Sequence, residues 1–216
     1  MSGHPAPEEL LLDYATGALP EGPALAVALH VALDPAARRL VGRLGALGGG
    51  LLESVEASAL DDAAAERTLA RLNDVTIEPR PAPAQPRRGF EWAPPALARR
   101  LGPQARWRRA FGGFEEIAVD LPADSHRVSV LRLAPGHGLP VHRHVGTEYT
   151  VVLQGGYTDT TGRYVAGDFA VGPGGEHRPI ADPGEPCIAV IVLEKPIVLT
   201  GPLGRWINPL VRRGWI

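Results

Sequence analysis

The chain has 216 residues, 44% of them hydrophobic and 21% charged, with a formal net charge of −2. That length admits one large domain or two small ones, and the near-neutral balance argues against direct binding to nucleic acid, which needs a basic face. A single cysteine excludes an intramolecular disulfide and a cysteine-rich zinc site, while 22 prolines and 26 glycines fit short strands joined by turns.

The opening residues carry no basic segment ahead of an apolar core. No apolar run approaches the roughly 20 residues of a bilayer span. Neither a signal peptide nor a membrane span is therefore expected, and the expected location is cytoplasmic. Glu8 and Glu9, then Leu10, Leu11 and Tyr14, then Gly17 spell a short helix with an acidic first turn and a glycine stop. After a turn at Pro20 to Pro23, residues 24–33 form a second helix, apolar enough to need partners on most sides. Asp34-Pro35 then reads as an N-cap and first helical position, and Leu40, Val41, Leu44 and Leu47 repeat at helical spacing as far as Gly48-Gly49-Gly50. A fourth helix, residues 61–72, carries Ala65, Leu69 and Leu72 on one side and Asp61, Asp62, Glu66 and Arg71 on others. Helices this short are marginal alone and need a metal, a partner or a neighbouring domain. The fourth, set apart by Gly- and Ser/Ala-rich sequence, reads as a partner-binding helix.

Residues 80–88, Arg-Pro-Ala-Pro-Ala-Gln-Pro-Arg-Arg, form a semi-stiff tether without apolar periodicity. The expected division is a helical domain at 1–80, a linker at 81–92 and a second domain at 93–216. Arg99, Arg100, Arg106, Arg108 and Arg109 cluster around Trp92 and Trp107. They read as solvated arginines around the first strands, with docking to the acidic fourth helix as a further use.

Residues 114–121, 127–133, 148–154, 163–165 and 187–193 read as strands, separated by turns such as Ala134-Pro-Gly, Asp159-Thr-Thr-Gly162 and Asp182-Pro-Gly184. Many short strands indicate a sandwich or barrel. Cys187 falls on the last of them as a buried strand residue, and with no second cysteine to resolve it, it makes a poor thiol switch. The tail residues Trp206, Trp215 and Ile216 are expected to cover the barrel or a dimer contact, which leaves a homodimer open.

Between these strands lies Gly136-His-Gly-Leu-Pro-Val-His142-Arg-His144-Val-Gly-Thr-Glu148, closed by Gly155. Strand parity puts His142, His144 and Glu148 on one side. Gly167, Pro173, Gly175 and His177 follow. The first stretch resembles the cupin motif Gly-x5-His-x-His-x3-Glu-x6-Gly at every defined position. The second resembles its companion, with one residue rather than two between Gly175 and His177 and without the usual later Asn. The resemblance implies a jelly-roll β-barrel in which His142, His144, Glu148 and His177 bind a divalent metal. Zinc is the first candidate and Fe, Mn and Ni the alternatives. One metal cage serves many chemistries, so the motif defines no enzyme by itself. Glu176 and Tyr149 are the candidate bases if they face inward.

A second resemblance covers most of the chain. His4-Pro, then Glu8 to Gly22 with its Leu-Pro-Glu-Gly turn, then His30-Val-Ala-Leu-Asp34-Pro-Ala-Ala37 resembles the N-terminal domain of ChrR-type anti-sigma factors. The family pattern is His, then His-x3-Cys-x2-Cys, whose four side chains bind zinc, with a cupin domain following. The resemblance implies a cytoplasmic protein of α + β class, a small helical anti-sigma domain followed by the cupin. It implies that the helices occlude an extracytoplasmic-function (group IV) sigma factor, and that the cupin senses singlet oxygen or related oxidative stress. Here the two cysteine positions hold Asp34 and Ala37. Alanine cannot bind a metal, so His4, His30 and Asp34 could supply at most three ligands, a weak site. Asp34 is equally explained as an N-cap. The other reading of the whole chain is a metal-dependent cupin enzyme of the dioxygenase class, whose helical domain is vestigial or mediates oligomerisation.

Overall fold

The structure is a computed structural model that describes residues 3–74, 89–110, 113–172, 175–200 and 208–209. The tether at 81–88, Pro173, and the tail residues Trp206, Trp215 and Ile216 lie outside the described residues.

Helix α1, Glu8–Thr16, ends where Gly17 turns to φ 75°, and the Gly17 and Ala18 amides return to the Tyr14 and Asp13 carbonyls. This is a Schellman closure, which suits glycine because a Cβ is disfavoured at positive φ. Helix α2, Glu21–Leu33, starts three residues earlier than the sequence indicates and is buried at Leu25, Ala26, Val27, Leu29 and His30. Asp34 then caps α3, Pro35–Glu53, its Oδ1 accepting from the Ala36 and Ala37 amides at 2.6 and 2.8 Å. Helix α3 runs through Gly48-Gly49-Gly50 instead of stopping there. None of those glycines has positive φ, so each only costs the helix about 1 kcal/mol. Helix α4 spans Ala64–Asp74, and a short turn of helix, α5, spans Pro95–Ala98.

The strands follow in chain order: β1 Arg108–Arg109, β2 Glu115–Val119, β3 Arg127–Leu133, β4 His142–Arg143, β5 Glu148–Gln154 and β6 Gly156–Thr158. After them come β7 Arg163–Val165, β8 Phe169–Val171, β9 Glu176–His177, β10 Ile180–Ala181, β11 Cys187–Leu193 and β12 Val198–Leu199. They form a sheet of order β1-β2-β3-β11-β5-β8 and two smaller ones, β10-β6-β7 and β12-β4-β9, with antiparallel pairing throughout. N-terminal helices thus precede a cupin barrel.

The centre of the large sheet is buried on both faces, which is why β3, β5 and β11 read as nearly continuous apolar runs. Val128, Val130, Val151, Val190 and Val192 face the helices and share one core with Leu25, Val27 and Leu29. Each such side chain, fully buried, contributes about 1.5–3 kcal/mol, so the helices gain from the barrel the core they lack alone. Leu131, Leu133, Val152 and Cys187 face the opposite way, toward Tyr157 and Ala181.

Polar contacts fix the docking. The α2 N-terminus has no side-chain cap of its own, and the Asp124 carboxylate from the β2–β3 turn accepts from the Gly22 amide instead. Arg100, one of the clustered arginines, pairs with Glu21 on α2 at 2.9 Å, whereas Arg108 and Arg109 form the exposed strand β1. At the β8 edge the His4 amide donates to Asp168 Oδ1 at 3.1 Å and the His4 carbonyl accepts from the Phe169 amide at 2.8 Å. No helix among the described residues is long and apolar enough to cross a membrane.

Candidate metal centre

Strands β4 and β9 pair with His142 opposite His177, so the register alone brings those two histidines together. His144 follows two residues after His142 and, like it, points inward, while Arg143 between them is exposed. The Nε2 atoms of His144 and His177 lie 2.8 Å apart, and those of His177 and His142 lie 3.1 Å apart. Metal–nitrogen bonds of about 2.0–2.1 Å set ligand atoms about 3 Å from one another, the spacing seen here. Among the described residues these three histidines form the one group of three potential ligands that converges in this way.

The far side of each ring explains why the near nitrogens are available. His142 Nδ1 donates to the Pro140 carbonyl at 2.8 Å, and His177 Nδ1 donates to Asp159 Oδ2 at 2.9 Å. Each ring therefore presents an unprotonated Nε2 to the centre. His144 Nδ1 is buried and lies 3.1 Å from Glu148 Oε2 but without hydrogen-bond geometry, so it stays unsatisfied. Three buried imidazole Nε2 atoms converging within about 3 Å, with no proton donor between those of His142 and His177, are what a bound cation would resolve, and the residues fit a divalent metal.

Burial pushes His144 down to about 4, aided by the charges that His142 and His177 would carry, and burial also lowers His142. Both are neutral near pH 7, as metal ligation requires. Glu148 moves the other way, raised by burial, with Thr150 Oγ1 donating to its Oε1 at 2.8 Å. It stands beside His144 and does not converge with the three histidines.

Asp159 is the residue that sequence reasoning missed. It lies in the turn after β6, where its Oδ1 accepts from the Thr161 amide at 2.7 Å and its Oδ2 holds His177. Its turn role accounts for its identity, so nothing in the sequence marked the second. Burial opposes its charge, but the hydrogen bonds from Thr161 and His177 hold its carboxyl below the usual range. The candidate bases do not face the barrel interior: Glu176 is exposed and Tyr149 packs on the helix side against Phe169.

The N-terminal residues are engaged differently. His30 is fully buried, with Nδ1 2.8 Å from the Gly167 carbonyl and Nε2 accepting from the Ala6 amide at 3.2 Å. Both ring nitrogens are thereby used. The His4 ring lies over Tyr164 with Nε2 3.2 Å from the Arg163 carbonyl, and Asp34 caps α3.

Beside the histidines the barrel encloses a cavity of about 130 Å³. Leu131, Leu133, Ala189, Ile191 and Leu193 form much of its wall, and His142, Glu148, Thr150 and His177 form a polar part. Cys187 also lines it, its thiol pushed up to about 12 by burial and hence protonated near pH 7.

With the site described, its relatives can be set beside it. Residues 104–195 match the family described as the ChrR cupin-like domain. The anti-sigma-E factor ChrR of Cereibacter sphaeroides is 36% identical over 214 residues, spanning 97% of this chain and 98% of its own. The crystal structure of Rhodobacter sphaeroides SigE in complex with the anti-sigma ChrR contains a chain that superposes with a TM-score of 0.73 at 31% identity, covering 88% of this chain and 98% of that one.

Proposed function

The chain belongs to the ChrR family of anti-sigma factors, and on that premise we propose that it binds and inhibits an extracytoplasmic-function (group IV) sigma factor in the cytoplasm, with the cupin as a metal-dependent sensor of oxidative stress. The observation that carries this reading is a set of large apolar side chains that no other described residue covers. Leu47, Leu51, Leu52, Leu60, Leu69 and Leu72 are each at least 62% exposed, on the second half of α3, the segment after it and α4. Such a concentration is costly to leave in water and marks a protein-binding surface. The helical half and the barrel act as the two domains of this device.

In the barrel, His142, His144 and His177 would hold the ion, with Glu148, the carboxylate beside His144, to complete its shell, zinc ahead of Fe, Mn or Ni. The ion would tie β4, the loop before β5, and β9 together. The helical half works without a metal: His30 fills both of its nitrogens with hydrogen bonds, and Ala37, buried in the shared core, takes apolar packing in place of a ligand. Oxidative damage at the cupin ligands would loosen the barrel and bias the chain away from the inhibitory conformation. The contact route from the centre to α2 is short. Tyr149 follows Glu148 and meets Phe169 at 6.0 Å, and Phe169 meets His30 at 5.5 Å, ring centre to ring centre.

The test is co-purification of the full chain with each group IV sigma factor of the same cell. A stable one-to-one complex is expected with one of them. Failure with all of them, from folded metal-loaded protein, would sink the proposal.

A further inference from the structure

We propose that the N-terminal arm supports the cupin metal centre from outside: His4, Tyr164 and Thr161 are positioning residues that act through Asp159 to fix the ring of His177. The support rests on the metal reading of the cupin and deepens it with residues from both halves of the molecule, none of them a ligand.

The contacts have a defined direction. His177 Nδ1 donates to Asp159 Oδ2 at 2.9 Å, and Asp159 Oδ1 accepts from the Thr161 amide at 2.7 Å and the Thr161 hydroxyl at 2.6 Å. A hydroxyl carries one proton, and that of Thr161 is used on a carboxylate, which has none to give back. The Tyr164 hydroxyl, 3.0 Å from Thr161 Oγ1, therefore donates to it. Two lines of donors thus meet on one carboxylate, His177 from one side and Tyr164 through Thr161 from the other. Each hydrogen bond in such a line strengthens the next. A carboxylate is a rigid plane, so the bonds that hold Oδ1 also set where Oδ2 meets the imidazole.

The arm holds the phenol in turn. The Tyr164 ring lies 4.3 Å from the His4 ring and 5.0 Å from the Tyr157 ring, centre to centre. His4 is fixed three ways. Its Nε2 donates to the Arg163 carbonyl at 3.2 Å, its amide donates to Asp168 Oδ1 at 3.1 Å, and its carbonyl accepts from the Phe169 amide at 2.8 Å. All three partners belong to residues 163–169, the segment that carries Tyr164, and Asp168 also accepts from the Val165 amide at 2.8 Å. Backbone bonds alone would tether the arm, yet the imidazole too is placed, on the tyrosine. By linkage, whatever affinity the arm lends to a metal at His177, the metal returns as order in the arm.

The experiment is zinc competition with a chromophoric chelator on the full chain and its variants, together with amide exchange of the wild type by NMR with and without zinc. Tyr164→Phe keeps the ring and deletes the hydroxyl, and should weaken zinc about 3- to 10-fold, the worth of one hydrogen bond. Thr161→Val should do the same, and Thr161→Ser, which keeps the hydroxyl, should retain wild-type affinity. His4→Ala should weaken zinc about 2- to 10-fold, and His4→Phe, which packs on the tyrosine but cannot ligate, should recover most of the loss. In the Asp159→Asn background Tyr164→Phe should add nothing, because the path is already cut. In the wild type, which needs no variant to fold, zinc should slow exchange of the His4 amide severalfold and leave that of Ala18, outside the path, unchanged. Wild-type affinity in Tyr164→Phe or His4→Ala, equal losses in Thr161→Ser and Thr161→Val, equal losses in His4→Ala and His4→Phe, additivity with Asp159→Asn, or zinc-insensitive exchange at His4 would each overturn the proposal. Zinc held by every variant as tightly as by the wild type removes the support alone, whereas a wild type that takes up no zinc removes the metal reading and the support together. The sigma complex, measured on the same preparations, decides the anti-sigma reading separately.

Discussion

Asp159 decides which nitrogen of His177 faces the centre. By accepting the Nδ1 proton at 2.9 Å it leaves Nε2 as the donor to a metal, and it stiffens the ring. Asp159→Asn keeps the size and much of the turn but removes the charge that favours that tautomer. Metal affinity, measured by competition with a chromophoric chelator, is expected to fall about 10- to 100-fold, with near-UV circular dichroism unchanged. His144 gives a pH signature. Its folded value of about 4 lies below the ordinary 6.5, so between those values the unfolded chain takes up a proton that the folded chain refuses. Its contribution is complete above 6.5 and is lost as pH falls toward 4. Comparing metal-free wild type with His144→Gln isolates it: the urea midpoint of the wild type should drop relative to the variant between pH 7 and pH 5. A constant difference would show that the ring is already solvated.

Strand β8 joins the two halves of the molecule. Its leading turn offers the Gly167 carbonyl to His30 and the Asp168 carboxylate to the His4 amide, and its far end places Gly172 over Glu148. A Cβ on Gly172 would stand 2.8 Å from Glu148 Cβ, an atom that cannot swing away. Gly172→Ala is therefore expected to destabilise the fold by about 1–3 kcal/mol and to disturb metal binding, read by thermal unfolding with and without zinc. Glu148 belongs to a motif that was legible in the sequence, because ligands on paired strands must keep fixed parity, whereas Gly172 falls at an undefined position between Gly167 and Pro173 of the second motif. The long strands β2, β3, β5 and β11 were legible as apolar runs bounded by turn residues. Strands of two residues, such as β4, β9 and β12, are too short for alternation to register, and they carry two of the three converging histidines. The end of α3 was misread because a glycine run lowers helix propensity without supplying the left-handed residue that stops one. Asp159 was hidden behind its turn, and the joining of helices to barrel lay beyond reach, since the residues that meet there, His30 with Gly167 and Gly22 with Asp124, are more than a hundred positions apart in each pair.

At the scale of the whole molecule, α2 packs on the barrel and α1 packs on α2 and α3, while α3 is anchored by its first half alone, with Ala37 buried and Leu47, Leu51 and Leu52 projecting into solvent. Helix α4 repeats the pattern with Leu69 and Leu72. Neither surface is covered by another element among the described residues, and a sigma factor seated on them would bury both. That arrangement separates stability from binding. Because Leu51 and Leu69 are exposed, Leu51→Asp and Leu69→Asp should each leave the free protein's unfolding free energy within about 0.5 kcal/mol of wild type. In a complex seated on these faces the same side chains would lie within the buried area, where truncating a main anchor costs about 2 kcal/mol or more. Each single variant should weaken the sigma complex roughly 30-fold or more, and the double variant should abolish it in calorimetric titration. Full affinity in the double variant would place the sigma factor elsewhere on the molecule and detach the exposed leucines from inhibition. Lost affinity together with a lowered unfolding temperature would mean instead that α3 and α4 support the fold, against their exposure in the free chain.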